Sequence, residues 1–128
     1  MDKNLREIVD ERNYDTLIAT PHDVDVFTIT LRQTDAAQEL KAGAVLALSE
    51  TDDKYVILGT EAGENEVLTA NAILAEDVKT STTADLNVTA FRQGHFNRKA
   101  LTVKSGYTLS KRDIEKLRSA GIYLETEV

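Results

Sequence analysis

A histidine, two arginines, a lysine and two phenylalanines stand close together in FRQGHFNRKAL, residues 91–101. Imidazole has an unperturbed pKa near neutrality, so His95 could serve as a general base while Asn97 or Arg98 orients a substrate. The segment contains no nucleophile and no carboxylate to complete such a site. Catalysis at this segment would therefore need partners from elsewhere in the chain.

A structural interpretation of the same segment is preferred. Gly94 would lie at the bend between two strands, residues 86–93 and 95–103, and Phe91 and Phe96 would alternate onto core faces. The polar side chains between them would be solvated. We therefore expect the segment to be a hairpin rather than a catalytic site.

Phenylalanines that stack on bases, with Arg92, Arg98 and Lys99 on phosphates, would also suit single-stranded nucleic acid. The chain carries 15 basic and 22 acidic residues, which gives a formal net charge of −7. Such a charge repels a phosphate backbone. We expect no nucleic-acid partner.

Metal and cofactor chemistry has little support in the sequence. His22, Asp23 and Asp25 offer imidazole and carboxylate ligands, but in a strand the two aspartates share a face and no third dedicated ligand is evident. Cysteine is absent, which excludes thiolate nucleophiles and cysteine-bound zinc. Neither a G-x-S-x-G sequence nor a phosphate-binding loop occurs. We predict no metal, no cofactor and no enzyme activity.

The elements that must position these residues are mostly short strands. Aromatic residues make up only 5% of the chain, so aliphatic side chains must supply most of the core. Runs rich in β-branched residues, separated by turn residues, predict strands. They are DVDVFTITL (23–31), AVLALS (44–49), KYVIL (54–58), NAILAEDV (71–78), LNVTAFRQ (86–93), HFNRKALTV (95–103) and IYLETEV (122–128).

One or two short helices complete the predicted secondary structure. Ser110 and Asp113 have the spacing of a capping box, and Gly121 stands where the helix would end about ten residues later. Residues 3–12 place apolar side chains at helical spacing, but this helix would be marginal alone. The prediction is a mainly β fold with one or two short helices.

Pro21 divides the chain into an N-terminal arm, residues 1–22, and a single β-rich domain, residues 23–128. Ordering an isolated arm costs ~1–2 kcal/mol per residue in backbone entropy. Pairing with a neighbouring chain would return about 1 kcal/mol per backbone hydrogen bond. The alternative is an ordinary first element packed on its own core.

No apolar run approaches the ~18 residues of a membrane-spanning helix, and the start MDKNLREIVDER is too charged for a signal peptide. We expect a soluble protein made in a cytoplasm, with no membrane partner.

Three stretches, taken together, resemble the bacteriophage head decoration proteins of the lambda type, over roughly residues 14–128. They are LKAGAVLAL (40–48) followed by KYVIL, NAILAEDVKTSTTADLNVTAFRQGHFNRKAL (71–101) and AGIYLETEV (120–128). The resemblance implies a β-clip-like fold with an extended N-terminal arm and a homotrimer. It also implies a capsid cement, bound to the major capsid protein on the outer capsid surface of the virion and made in the host cytoplasm.

In that family the arm is commonly the part that becomes ordered against the major capsid protein. This chain departs from the family by carrying charged residues and apolar anchors before Tyr14 instead of a Pro/Gly-rich tail. The residues predicted to bind the capsid are Leu5, Ile8, Val9, Leu17, Ile18, Val24, Val26, Phe27 and Ile29. Two alternatives remain open: another phage structural protein, of the tail tube or head-completion kind, and a small β-barrel ligand-binding or enzyme domain.

Overall fold

The computed structural model describes residues 17–125, apart from the side chains of residues 19–23. This part of the chain folds into eight strands, one 3-10 turn and one α-helix. The strands are β1 Ile18–Leu31, β2 Glu39–Leu40, β3 Val45–Ser49, β4 Tyr55–Ile57, β5 Leu68–Leu74, β6 Val78–Lys79, β7 Leu86–Asn97 and β8 Ile122–Glu125; the turn is Arg98–Ala100 and the helix, α1, is Lys111–Ala120. The prediction of a mainly β fold is confirmed. The helix predicted over residues 3–12 lies outside the described residues.

Five of the strands close into a ring. The main sheet has the order β1-β4-β3-β5-β7-β8, and β1 also pairs with β7. The closing contact between β1 and β4 is a single parallel register pair, Leu31 with Tyr55. Strand β8 adds to β7 in parallel outside the ring. Strands β2 and β6 form a separate two-stranded sheet.

Successive side chains of a strand point to opposite faces, and the protein uses both faces of this sheet. One set of buried side chains comes from all five ring strands; we call it the inner core. It comprises Ile29, Leu31, Leu40, Ala44, Leu46, Tyr55, Ala72, Leu74, Val88 and Ala90. A second set, the outer core, lies between the sheet and α1. It comprises Leu17, Val45, Ala47, Val56, Leu58, Ala70, Ile73, Phe91, Phe96, Leu117 and Ile122.

Strand β1 has a regular half and an irregular half. From Val26 to Leu31 every residue has a register partner on β7, whereas shifts separate the earlier pairs of Ile18, Thr20 and Asp25. Pro21 lies within the irregular half and has no backbone N–H to donate to a ladder. The predicted boundary at residues 22 and 23 therefore falls inside one long strand, and the division into arm and domain stays a prediction.

The predicted hairpin at Gly94 is wrong. Strand β7 continues through Gly94 without reversing and ends at Asn97. Gly94 has a φ of 147°, and a Cβ there would lie 3.1 Å from Cζ of Phe96. Glycine is needed at this position because a side chain would be strained at this φ and would crowd the Phe96 ring. The buried positions predicted for Phe91 and Phe96 are confirmed.

Helix α1 begins and ends as predicted. Ser110 Oγ accepts a hydrogen bond from the Asp113 N–H at 3.1 Å, and the Asp113 carboxylate accepts one from the Ser110 N–H at 3.0 Å. These reciprocal bonds form the capping box. Gly121 follows the helix with a φ of 106°. Leu117 is the buried residue of the helix and anchors it to the outer core.

Candidate functional site

His95 joins strand β8 to strand β7. Its Nδ1 donates a hydrogen bond to Oε2 of Glu125 at 2.9 Å, and its ring stacks on Tyr123 with a centroid distance of 4.9 Å. Both partners belong to β8, and Tyr123 is the register partner of His95. The described contacts of His95 are therefore those of a side chain that holds two strands together.

Arg92 is engaged with strand β1. Its Nε donates to Oδ2 of Asp25 at 2.7 Å, and its guanidinium lies 5.5 Å from the ring centroid of Phe27. Both charged side chains are about half exposed, so the ion pair contributes roughly 0–1 kcal/mol. The Arg92 guanidinium is thus already paired with side chains of β1.

The Asn97 side chain also has a local role. Asn97 Oδ1 accepts a hydrogen bond from the Lys99 N–H at 3.2 Å and caps the 3-10 turn. Arg98 and Lys99 are exposed on that turn. In the segment that suggested a catalytic base, His95, Arg92 and Asn97 therefore make strand-pairing and turn-capping contacts.

The structure does not test His22, Asp23 and Asp25 together as candidate metal ligands. His22 and Asp23 lie in β1, but their side chains are outside the described part. Across the described residues, no group of three or more histidine, cysteine or acidic side chains is placed to hold a metal ion. The predicted absence of a metal stays a prediction.

The most connected polar cluster of the described residues centres on Glu66, which sequence analysis did not identify. Glu66 Oε2 accepts hydrogen bonds from Arg32 Nη2 at 2.6 Å and from Ser49 Oγ at 2.6 Å, and Oε1 accepts from the Gly63 N–H at 2.8 Å. Arg32 also binds both carboxylate oxygens of Asp52, at 3.1 and 3.2 Å. No local sequence pattern predicts this cluster, because its members come from three separate segments, around Arg32, Ser49–Asp52 and Gly63–Glu66.

The charges of this cluster perturb one another. The Arg32 guanidinium, followed by the Gly63 N–H and the Ser49 hydroxyl, lowers the pKa of Glu66 from 4.5 to about 2. Each of these donors stabilises the charged carboxylate. The hydrogen bond that Arg32 donates to Glu66 is also the main reason that the pKa of Arg32 is raised. Glu66 is therefore ionised throughout the neutral and mildly acidic range.

A half-open groove of about 230 Å³ lies beside the helix N-terminus. Its lining residues are Ala47, Leu58, Gly59, Thr60, Ala62, Leu68, Tyr107 and Asp113. The Tyr107 hydroxyl donates to the Asp113 carboxylate, and this bond raises the pKa of the tyrosine because it favours the protonated phenol. Asp113 also caps the helix. The Asp113 carboxylate in this groove is thus already engaged in hydrogen bonds with Tyr107 and the helix cap.

The predicted capsid-binding residues fall into three groups in the structure. Leu5, Ile8 and Val9 lie outside the described residues. Leu17 and Ile29 are buried, 6% and 4% exposed. Ile18, Val24 and Phe27 are half-buried against the two cores. Val26 is 46% exposed, one of three large apolar side chains that the described residues leave exposed. Their contact with a capsid stays a prediction.

The described fold and contacts define a small, mainly β protein whose polar clusters tie its own elements together. The family model for bacteriophage lambda head decoration protein D matches residues 12–122, which is most of the 128-residue chain. The chain therefore belongs to the lambda head decoration protein family and is a phage capsid decoration protein. This confirms the resemblance inferred from the sequence. A search of curated proteins finds no match.

Membership in this family places the protein on the capsid of the virion and makes it a structural component. Among the described residues, no helix combines the length and apolar character needed to cross a bilayer.

Proposed function

We propose that the protein binds the outer surface of the capsid as a homotrimer, through its N-terminal arm and the start of β1, and stabilises the shell. The observation that carries this proposal is the family match, which begins at residue 12 and so includes part of the predicted arm. The β-clip-like fold, synthesis in the host cytoplasm and the absence of nucleic-acid, membrane, metal and cofactor partners belong to the same proposal.

Stabilisation needs no chemistry. A ligand that binds the assembled shell and not its separated subunits stabilises the shell by mass action. Three arms on one trimer would turn the later contacts into intramolecular ones, which raises the overall affinity ~10²–10⁴-fold over that of one arm.

The pairing of β1 supports the proposal that the start of this strand binds the capsid. The residues from Val26 onwards are paired continuously with β7, but the residues from Ile18 to Asp25 are paired only at intervals. A strand with few ladder partners keeps backbone groups that a neighbouring strand can use. The irregular half of β1 is therefore the part of the described chain best suited to join a capsid strand.

Of the predicted contact residues that the structure describes, Val26 has the most accessible side chain. Its side chain is 46% exposed, whereas Leu17 and Ile29 are almost fully buried. In the proposal Val26 touches the capsid directly, and Leu5, Ile8 and Val9 add contacts from the arm. Leu17, Ile18, Val24, Phe27 and Ile29 would hold the start of β1 in position from below.

The test is co-sedimentation with undecorated capsids. A chain lacking residues 1–16 keeps Leu17 in the outer core, so we expect normal melting and a normal trimer with capsid binding lost. Val26→Asp should weaken binding by roughly tenfold or more, because a charge would replace apolar contact area. Val67→Asp is the matched control, since Val67 is 52% exposed and lies outside the arm and β1.

Normal capsid binding by the chain that lacks residues 1–16 would refute the proposed role of the arm. Equal losses with the two aspartate variants would refute the specific role of Val26. Analytical ultracentrifugation of the free and bound protein tests the trimer separately.

A further inference from the structure

Residues 59–67, which lie between β4 and β5, form an exposed loop with one acidic side chain that reaches inward. Residues 61–65 are all exposed, but the Glu66 side chain is only 10% exposed. Its carboxylate meets Arg32, which follows β1, and Ser49, the last residue of β3. Ser49 is fully buried. Glu66 therefore connects the loop to two elements of the ring.

The other bonds of the loop are mostly local. The Thr60 hydroxyl donates to the Ile57 carbonyl, and the Glu66 N–H donates to the Gly63 carbonyl. Only at its end does the loop gain a backbone bond to the β3–β4 turn, from the Glu50 N–H to the Val67 carbonyl at 3.1 Å. Within the described contacts, Glu66 supplies the side-chain bonds that hold the middle of the loop.

Arg32 has a second carboxylate partner that would remain if the contact with Glu66 were lost. Asp52, from the β3–β4 turn, binds the same Nη2 atom of Arg32. Further out, Lys54 pairs with Asp85 at 2.7 Å, and the Glu50 carboxylate faces Thr69 at 3.5 Å. Loss of the Glu66 carboxylate charge would therefore break the attachment of the loop without leaving a buried cation unpaired.

We propose that Glu66 is an acid-sensitive latch, and that protonating its carboxylate releases the loop of residues 59–67 while the ring stays folded. Release would also open one wall of the groove beside Tyr107, since Gly59, Thr60 and Ala62 line it. This proposal is independent of the capsid-binding role.

The direction of the pH dependence follows from the perturbed carboxyl. In the closed loop the pKa of Glu66 is about 2, compared with an ordinary value of 4.5. The latch is therefore at full strength above about pH 4.5 and weakens as the pH falls towards 2. The pKa values of Asp52 and Asp85 are lowered as well, so a variant must separate Glu66 from them.

Because the chain contains no cysteine, a spin label can be attached at a single introduced cysteine. A nitroxide on Ala62→Cys would report loop mobility by electron paramagnetic resonance between pH 7 and 2.5. The matched control is a nitroxide on Ala84→Cys, an exposed alanine in another turn. We expect the mobile fraction at residue 62 to rise roughly tenfold on acidification, with the label at 84 and the circular dichroism unchanged.

Glu66→Gln supplies the decisive comparison. In this background the label at residue 62 should be mobile already at pH 7 and insensitive to acid, whereas Asp52→Asn should keep the acid response. A label at residue 62 that stays immobile at pH 2.5, or that is equally immobile at pH 7 with and without Glu66→Gln, would overturn the latch. So would a transition at residue 62 that coincides with loss of the whole fold.

Discussion

Phe96 is the residue whose truncation should damage the fold most clearly. Its side chain is fully buried in the outer core, and its ring packs against that of Phe91 with a centroid distance of 5.2 Å and an interplanar angle of 52°. Gly94 lies against the same ring. Phe96→Ala would therefore remove an aromatic pair and leave a cavity where β7, β8 and β1 meet.

The loss follows from general values for buried aromatic residues. Truncation of a buried phenylalanine to alanine costs ~3–5 kcal/mol, which includes the cavity left behind. The backbone on both sides is fixed by pairing to Ile18 and Leu124, so the site has little freedom to collapse, and we expect the upper part of that range. For a domain of this size the loss corresponds to a melting temperature lower by roughly 10–20 °C.

Urea unfolding followed by far-ultraviolet circular dichroism is the assay, since the chain contains no tryptophan. His95→Ala is the neighbouring control: it removes a side chain that is 38% exposed, and surface contacts of this kind contribute about 1 kcal/mol or less. The slope of the unfolding free energy against urea should stay constant while the midpoint falls. Equal midpoints for Phe96→Ala and the natural chain would refute the packing assignment.

The remaining predictions concern backbone geometry and helix capping. Gly94→Ala should lower the free energy of unfolding by roughly 1–3 kcal/mol, because of the positive φ and the 3.1 Å approach to the Phe96 ring. Thermal unfolding measures this loss, and an unchanged melting temperature would contradict the stated geometry. Ser110→Ala should cost about 1 kcal/mol by removing the cap of α1, while Ser110→Asp should restore most of the loss in the same measurement; failure of the restoration would show that the cap is not the cause.

Local signals in the sequence were enough to predict the regular elements. The helix from Lys111 to Ala120 carries its start and stop signals at Ser110 and Gly121, so it was predicted in place. Most strands were found because β-branched and apolar residues alternate between turn residues. The order of the resembling stretches was sufficient to predict the family.

The errors arose where long-range contacts decide the structure. A glycine between two apolar runs usually marks a turn, but β7 continues through Gly94, where the Phe96 ring packs against the backbone. NAILAEDV was predicted as one strand, yet β5 ends at Leu74 and a separate strand begins at Val78, paired with Leu40. No strand was predicted at Leu40. Leu40 and Val78 are far apart in the sequence, so no local pattern predicts their pairing.

The candidate site was harder to predict for the same reason. Glu66 has no distinguishing neighbours in the sequence, and its partners Arg32 and Ser49 lie 34 and 17 residues away. His95, by contrast, stood out by its chemistry, but its partners Tyr123 and Glu125 are supplied by a strand near the C-terminus. The residue type made His95 a candidate, whereas the pairing of β7 with β8 determined its contacts.

The two halves of β1 carry different parts of the proposed function. Among the described residues, the inner core receives no buried side chain before Ile29, and the half-buried Phe27 is the first to pack against it. Continuous pairing with β7 also begins only at Val26. The ring can therefore stay closed whether or not the preceding residues change partners on a capsid. A decoration protein needs this separation, because its body must remain folded before and after it binds. Substitutions at Val26 and earlier surface positions should then alter affinity, whereas substitutions at Ile29 and Leu31 should alter stability.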